Sequence, residues 1–277
     1  MLCIANRHER DDSVLYKTGY FKVDGKMPDL SVSKIIHATF PFFDAQKIVE
    51  RMSNKETRYP NKTDQEIVLL WESNRKTSCD YGHSIHSYID AYITGLSPEL
   101  GVSNSSHIQN FFEKMFGSTS TLRPYRSEWP IYGEYNSYVI SCIPDLVARD
   151  TATGEYHLFE WKTCKTYHST SPYKKWCTLD FMSGIEDTKK NRHSLQMHLY
   201  RRILQDFYSI SIPICNMHII NFPEDDPCEE IAVNGTMAYI IDDLLDNLDT
   251  IKSTYAKHKE REAEIKRWAR KRPNTVL

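Results

Sequence analysis

The feature that most constrains this chain is a pair of extended runs, 137–148 and Glu155–Lys162, folded back on one another by the turn Asp150–Glu155 (DTATGE). Both runs are rich in β-branched and aromatic residues, which suit a pleated, half-buried surface. Charge nevertheless enters each of them, as Ile143-Pro144-Asp145 in the first and, fifteen residues after Asp145, as Glu160-Trp161-Lys162 in the second. Residues i and i+2 of a strand point to the same side. Glu160 and Lys162 therefore share a face, with Tyr156 and Leu158 behind them. The turn lays the Asp145 run beside this one, so Asp145 and Glu160 are expected to converge.

Two carboxylates a few ångströms apart repel one another unless a cation lies between them. Hard divalent ions such as Mg²⁺ or Mn²⁺ take oxygen ligands and suit such a pair. An ion of this kind polarises a phosphate oxygen and lowers the pKa of a bound water. Lys162 is placed to orient that water and to offset charge as phosphorus is attacked. The main-chain carbonyl of Trp161 is a further candidate ligand. The bland reading of the same string is a surface hairpin with ordinary charges; the strand–turn–strand setting and Pro144 favour phosphodiester cleavage.

The flanking sequence changes period. Phe42–Met52, Asp64–Asn74, Gly82–Thr94, 106–117, 193–208 and the stretch from Gly235 to about Arg270 read as helical. In one of these, Ile85, Tyr88, Ile89 and Tyr92 fall on a single helical face. Residues 125–132 and 214–221 read as further strands, and residues 1–35 as an irregular or loosely stranded leader. Strands clustered between helices give an α/β class, with one mixed central sheet, helices packed around it, an N-terminal helical portion and a C-terminal helix. A chain of 277 residues fits one domain, with a leader and helical portion over 1–80, a core over 81–222 and a helical extension over 235–272. The net charge of −2 leaves room only for a local basic stripe. Seven scattered cysteines without a CxxC suggest free thiols in a reducing, intracellular compartment. The start MLCIANRHERDD lacks the apolar core of a secretion signal, and no apolar run is long enough to span a bilayer.

Further motifs accompany the central one: Gly82-His83-Ser84-Ile85-His86, Glu128-Trp129, and Gln196-Met197-His198-Leu199-Tyr200. The order GxxxH, E, D, ExK, QxxxY resembles the RecB-like branch of the PD-(D/E)xK nuclease superfamily, over about residues 65–222. The resemblance implies a restriction-endonuclease-like core and a catalytic set of Asp145, Glu160, Lys162, Glu128, Gln196 and Tyr200. It implies metal ligation by His86, Asp145, Glu160, Glu128 and the Trp161 carbonyl. His83 competes with His86, and Glu134 with Glu128. Ile143 stands where many relatives carry a nearby glycine. Some members hold an iron–sulfur cluster with four cysteines; the spacing of Cys79, Cys215 and Cys228 fits none, so no cluster is expected.

The segment 162–176 (KTCKTYHSTSPYKKW) interleaves cations and aromatics in a way that suits phosphate contact and base stacking. Lys165, Tyr167, Lys174, Lys175, Trp176 and, ahead of the QxxxY helix, Arg192 are the candidate nucleic-acid contacts; Lys189 and Lys190 could add to them. Lys257–Arg272 mixes acids with its cations and reads as a solvated face. The expected substrate is DNA, single-stranded or at duplex ends, with RNA the alternative in the manner of cap-snatching endonucleases. A non-catalytic nucleic-acid-binding scaffold is the third reading. No membrane partner is expected, and the motifs fix neither polarity nor oligomeric state.

Overall fold

In a computed structural model the described residues are 5–17, 20–96, 105–165, 167, 174–224 and 226–271. The N-terminal part contains strands β1 (Val14–Lys17), β2 (Tyr20–Val23) and β3 (Leu30–Ser31). Helices α1 (Val32–Thr39), α2 (Ala45–Arg51), α3 (Lys55–Arg58), α4 (Asp64–Thr94) and α5 (Ser105–Phe116) follow. Next come β4 (Leu122–Ser127), β5 (Ile131–Tyr135), β6 (Tyr138–Cys142), β7 (Leu146–Asp150) and β8 (Tyr156–Lys162). Helix α6 (Lys189–Tyr208), β9 (Met217–Asn221), β10 (Glu229–Ile231), α7 (Ile241–Asp246) and α8 (Leu248–Arg270) complete the order.

The central sheet has five strands in the order β10-β9-β8-β7-β4. It is mixed: β8 runs parallel to β9 and every other pairing is antiparallel. A parallel pair needs a crossover to return the chain to the same end, and α6 lies within that connection. Helices cover both faces, as the α/β reading expects. Alternation along the strands divides the core. Val147 and Leu158 face a cluster with Leu199, Ile203 and the α1 and α8 side chains. Leu146, Ala148, Phe159 and Trp161 face Ile85, Ile89, Ile108 and Phe112 of α4 and α5.

The expectation of one sheet needs correction. The runs 125–132 and 137–148 each break, and β5 and β6 join β3 in a separate three-stranded sheet. The breaks fall opposite one another. Glu128 takes the left-handed conformation (φ 44°), and Pro144 offers no amide hydrogen to a ladder. The Glu128 amide donates to the Asp145 carbonyl at 2.9 Å, and that of Trp129 to Pro144 at 3.2 Å. The two strands thus stay joined while both turn from one sheet into the other.

Helix α4 also differs from its expected form, because Asp64–Asn74 and Gly82–Thr94 are parts of one 31-residue helix. It opens with a capping box, Thr63 and Glu66 each satisfying the other's amide, and closes at left-handed Gly95 (φ 73°). Residues 73–80 are exposed and carry no apolar stripe; an established helix propagates through them because only nucleation is costly. The expected boundary at 80/81 lies inside this helix. Between Gly235 and Arg270 the chain is a 3₁₀ segment, α7 and α8, with a break at Asn247. The leader is more ordered than its composition suggests, and β10, three residues long, left no periodic signal. Among the described residues no helix is long and apolar enough to cross a membrane.

Candidate active site

Three elements, together with the bend after β4 that carries Glu128, deliver the polar residues to one end of the central sheet. The first is the β7–β8 pair. Its register sets Leu146 opposite Phe159, which carries Asp145 alongside Glu160. Both carboxylates are buried, Asp145 with 5% and Glu160 with 2% of its surface exposed. The Trp161 amide donates to Asp145 Oδ2 at 2.6 Å. A strand residue presents its N–H and C=O to the same edge, so the Trp161 carbonyl faces the Asp145 side. Lys162 Nζ lies 2.5 Å from Glu160 Oε1.

The second element is α4. Burial of Ile85, Tyr88 and Ile89 against the sheet turns His86 toward the strand ends. Its Nδ1 lies 3.3 Å from Asp145 Oδ1 and 3.4 Å from Glu128 Oε1. One turn earlier, a Cβ on Gly82 would sit 3.4 Å from Thr163 Oγ1, so the glycine lets α4 approach the chain just after Lys162. Glu128 comes to the site through its left-handed backbone, a conformation uncommon for a residue with a Cβ.

The third element is α6. Gln196 and Tyr200, four residues apart and hence on one helix face, lie over β8. Gln196 Nε2 donates to Glu160 Oε1 at 2.7 Å and to the Tyr200 hydroxyl at 2.5 Å. Glu160 Oε1 is thus held from two sides, whereas its buried Oε2 has no hydrogen-bond partner among the described residues.

The charges act on one another strongly. Burial pushes Glu160 up, the Asp145 carboxylate adds to the effect, and its pKa stands at about 8. Burial also raises Glu128, helped by Asp145 and Asp90. Burial opposes the charge on His86, yet Asp145 and Glu128 outweigh it and hold the imidazole well above its ordinary value. Asp145 is lowered, the His86 and Lys162 cations overcoming its burial. Lys162 is raised because Glu160 and Asp145 outweigh its desolvation.

One ligand atom from each of His86, Glu128 and Asp145 lies within 4.8 Å of the others. A nitrogen and carboxylate oxygens are donors that suit a divalent ion of the Mg²⁺ or Mn²⁺ kind. The Oε2 of Glu160, without a hydrogen-bond partner among the described residues, and the mutual repulsion by which Asp145 raises Glu160 and Glu128 fit the same group.

Several expected residues take other roles. His83 is exposed on α4, and Glu134 pairs with Arg10 at 3.4 Å on β5; neither belongs to the cluster. Tyr167 was expected to stack on a base, but it is 6% exposed, packs in the main core and shares a 2.7 Å hydrogen bond with His193. Arg192 grips Asp187 through two hydrogen bonds of 2.5 and 3.0 Å and lies over the Phe40 ring, so its guanidinium is already committed. Lys165 pairs with Glu224 at 2.9 Å and Lys174 with Glu186 at 3.9 Å. Lys175 and Trp176 are exposed. Thr166 and residues 168–173 of this basic segment lie outside the described residues.

Two contributors escaped the sequence reading. Asp90 accepts a 2.6 Å hydrogen bond from Ser127, next to Glu128; its place one helical turn after His86 was the available signal. Asn221 exchanges 2.7 and 3.0 Å hydrogen bonds with the Cys164 backbone and fixes the chain after Lys162. That contact joins residues far apart in sequence and left no local trace.

No protein-family model matches the chain, and no curated relative aligns with it. Among solved structures, a candidate exonuclease from Eubacterium rectale gives a TM-score of 0.42 at 12% identity, over 83% of this chain and 82% of that one. Likeness of that degree carries no functional argument.

Proposed function

We propose that the chain is a divalent-metal-dependent nuclease of the RecB-like PD-(D/E)xK type, hydrolysing DNA phosphodiester bonds at ends or flaps. The observation that carries this reading is the meeting of His86, Glu128 and Asp145 within 4.8 Å, beside a buried Glu160 whose second oxygen has no hydrogen-bond partner among the described residues. Mg²⁺ or Mn²⁺, held by His86, Glu128, Asp145, Glu160 and the Trp161 carbonyl, would supply Lewis acidity to a phosphate oxygen and acidify a water.

The chain's own groups perform the rest. Lys162, kept charged by Glu160 and Asp145, orients the attacking water and balances the negative charge that builds on the phosphate oxygens. The Trp161 amide fixes Asp145, and Gln196 with Tyr200 fixes Glu160. The water oxygen bonds to phosphorus as one P–O ester bond breaks, leaving a phosphate monoester and a hydroxyl. Lys174, Lys175 and Trp176, all exposed, are the remaining candidates for backbone and base contacts.

End-labelled single-stranded, duplex and circular DNA, with an RNA arm, incubated with Mn²⁺ and with EDTA, tests the reading. Mn²⁺-dependent loss of linear DNA with circles resisting is the expected result. Cleavage confined to RNA would move the substrate assignment to the cap-snatching alternative. No cleavage together with no Mn²⁺ binding heat would overturn the enzymatic reading.

A further inference from the structure

The β1–β2 hairpin is rooted beside the candidate site, not on a remote surface. Asp11 accepts hydrogen bonds from Arg126 at 2.7 Å and from Trp129 at 2.9 Å. These donors flank Glu128. Asn6 adds a 2.8 Å bond to the Tyr125 carbonyl and accepts a 2.9 Å bond from Arg126. The leader is therefore clamped to the stretch that carries Glu128, and β1 starts three residues later. At its other end the hairpin is anchored by β3, where Leu30 pairs with Ile140.

The register decides which side of the hairpin meets the site. Tyr16 lies opposite Phe21, and Val14 opposite Val23. Residues directly opposite one another share a face, as do residues two apart. Val23 is 7% exposed, so this is the side turned to the body of the protein. Leu15, Lys17, Tyr20 and Lys22 occupy the outer side. Tyr16 is thus a body-facing aromatic that is nevertheless 39% exposed, with its ring 6.0 Å from that of Phe21. Burial and, after it, the Glu128 carboxylate raise the pKa of its phenol. A half-open ring on a hairpin rooted at the stretch that carries Glu128, backed by a second ring, presents a π-face on which a nucleobase can stack.

We infer that Tyr16 is a substrate-binding residue, stacking on an unpaired base beside the scissile phosphate. The inference rests on the proposed nuclease reading and adds a binding wall that the motif pattern does not contain.

Fluorescence anisotropy of the full chain with a fluorescein-labelled oligothymidine of about twenty residues, in EDTA, tests it without cleavage. Tyr16→Ala is expected to weaken binding about tenfold. Tyr16→Leu, which keeps apolar packing against Phe21, should lose a similar factor. Tyr16→Phe, which keeps the ring, and Tyr20→Ala, on the outer side, should bind as the unmodified chain does. Thermal melts of all four variants report whether the fold is retained. Equal affinity for Tyr16→Leu and the unmodified chain, an equal loss in Tyr20→Ala, or no binding by the unmodified chain would each overturn the inference. If the unmodified chain binds through Tyr16 but neither cuts with Mn²⁺ nor binds it, the nuclease reading falls and only the base-stacking contact of Tyr16 stands.

Discussion

The main-chain amide of Trp161 donates a 2.6 Å hydrogen bond to Asp145 Oδ2, while Oδ1 of the same carboxylate lies 3.3 Å from His86. Asp145 is therefore aimed from both ends, by a strand backbone on one side and a helix side chain on the other. The arrangement keeps a buried carboxylate charged, since a hydrogen bond to the charged form and a nearby cation both favour ionisation.

Asp145→Ala, Glu160→Ala and Lys162→Ala are each expected to lower cleavage at least about a hundredfold. Calorimetry with Mn²⁺ should separate them, with binding lost or strongly weakened in the two carboxylate variants and kept in Lys162→Ala. Undiminished cutting by Lys162→Ala would remove its water-orienting role.

Stability should fall with rising pH when divalent ions are chelated. Glu160 has a folded pKa of about 8 against an ordinary 4.5. A carboxyl raised in the folded state favours folding below its ordinary value, and that contribution disappears as pH climbs through the raised one. His86, also raised, acts in the same direction. Asp145 is lowered from 3.8, so its contribution is present above that value and is lost only in more acidic solution. Melts in EDTA at about pH 5 and about pH 8.5 should differ by on the order of a few kcal/mol. Glu160→Gln should flatten the difference, and an unchanged slope in that variant would count against the assignment.

Gln196→Ala removes one of the two donors to Glu160 Oε1 and leaves Lys162 in place. Cleavage should fall roughly tenfold without vanishing, with a stability loss of about 1–3 kcal/mol from the buried acceptor. Paired kcat/KM and urea titrations measure both. Loss of all activity would mean that Gln196 itself touches the reacting groups.

Asp90→Ala breaks the 2.6 Å bond that holds Ser127 next to Glu128. Outer residues that orient metal ligands typically contribute about 10- to 100-fold in metal affinity, and a Mn²⁺ titration should show a loss in that range. Unaltered affinity would reduce Asp90 to a helix-surface acid.

Arg192→Ala should act on the fold and leave oligonucleotide affinity nearly intact. Its two bonds to Asp187 are charge-assisted, and their removal is expected to cost about 1.5–3 kcal/mol. A large affinity loss with unchanged stability would restore the phosphate-contact expectation.

The central pairing was legible in the sequence because it is built from short-range rules. Strand alternation set Glu160 and Lys162 on one face, the Asp150–Glu155 turn folded the Asp145 run beside them, and helical spacing aligned Gln196 with Tyr200. Where composition alone was read, the outcome differed. Tyr167 stands in a basic, aromatic stretch and Arg192 in a basic run ahead of Gln196, both of which look solvated, yet the core takes the first and Asp187 the second. Whether a polar or aromatic residue is buried depends on which distant segment packs over it, and residue type does not carry that information.

The sequence by itself determined the local geometry: the β7–β8 hairpin, the class of fold, and which acids share a strand face. Only the tertiary structure placed His86 and Glu128, and not His83 or Glu134, beside Asp145. Those placements follow from the packing of α4 against the sheet and from the left-handed turn at Glu128 where two strands change sheets. The leader shows the same division. Its order comes from Asp11 hydrogen-bonding Arg126 and Trp129, more than a hundred residues away. Contacts across such separations have no period to read, so they appear only when the chain has folded.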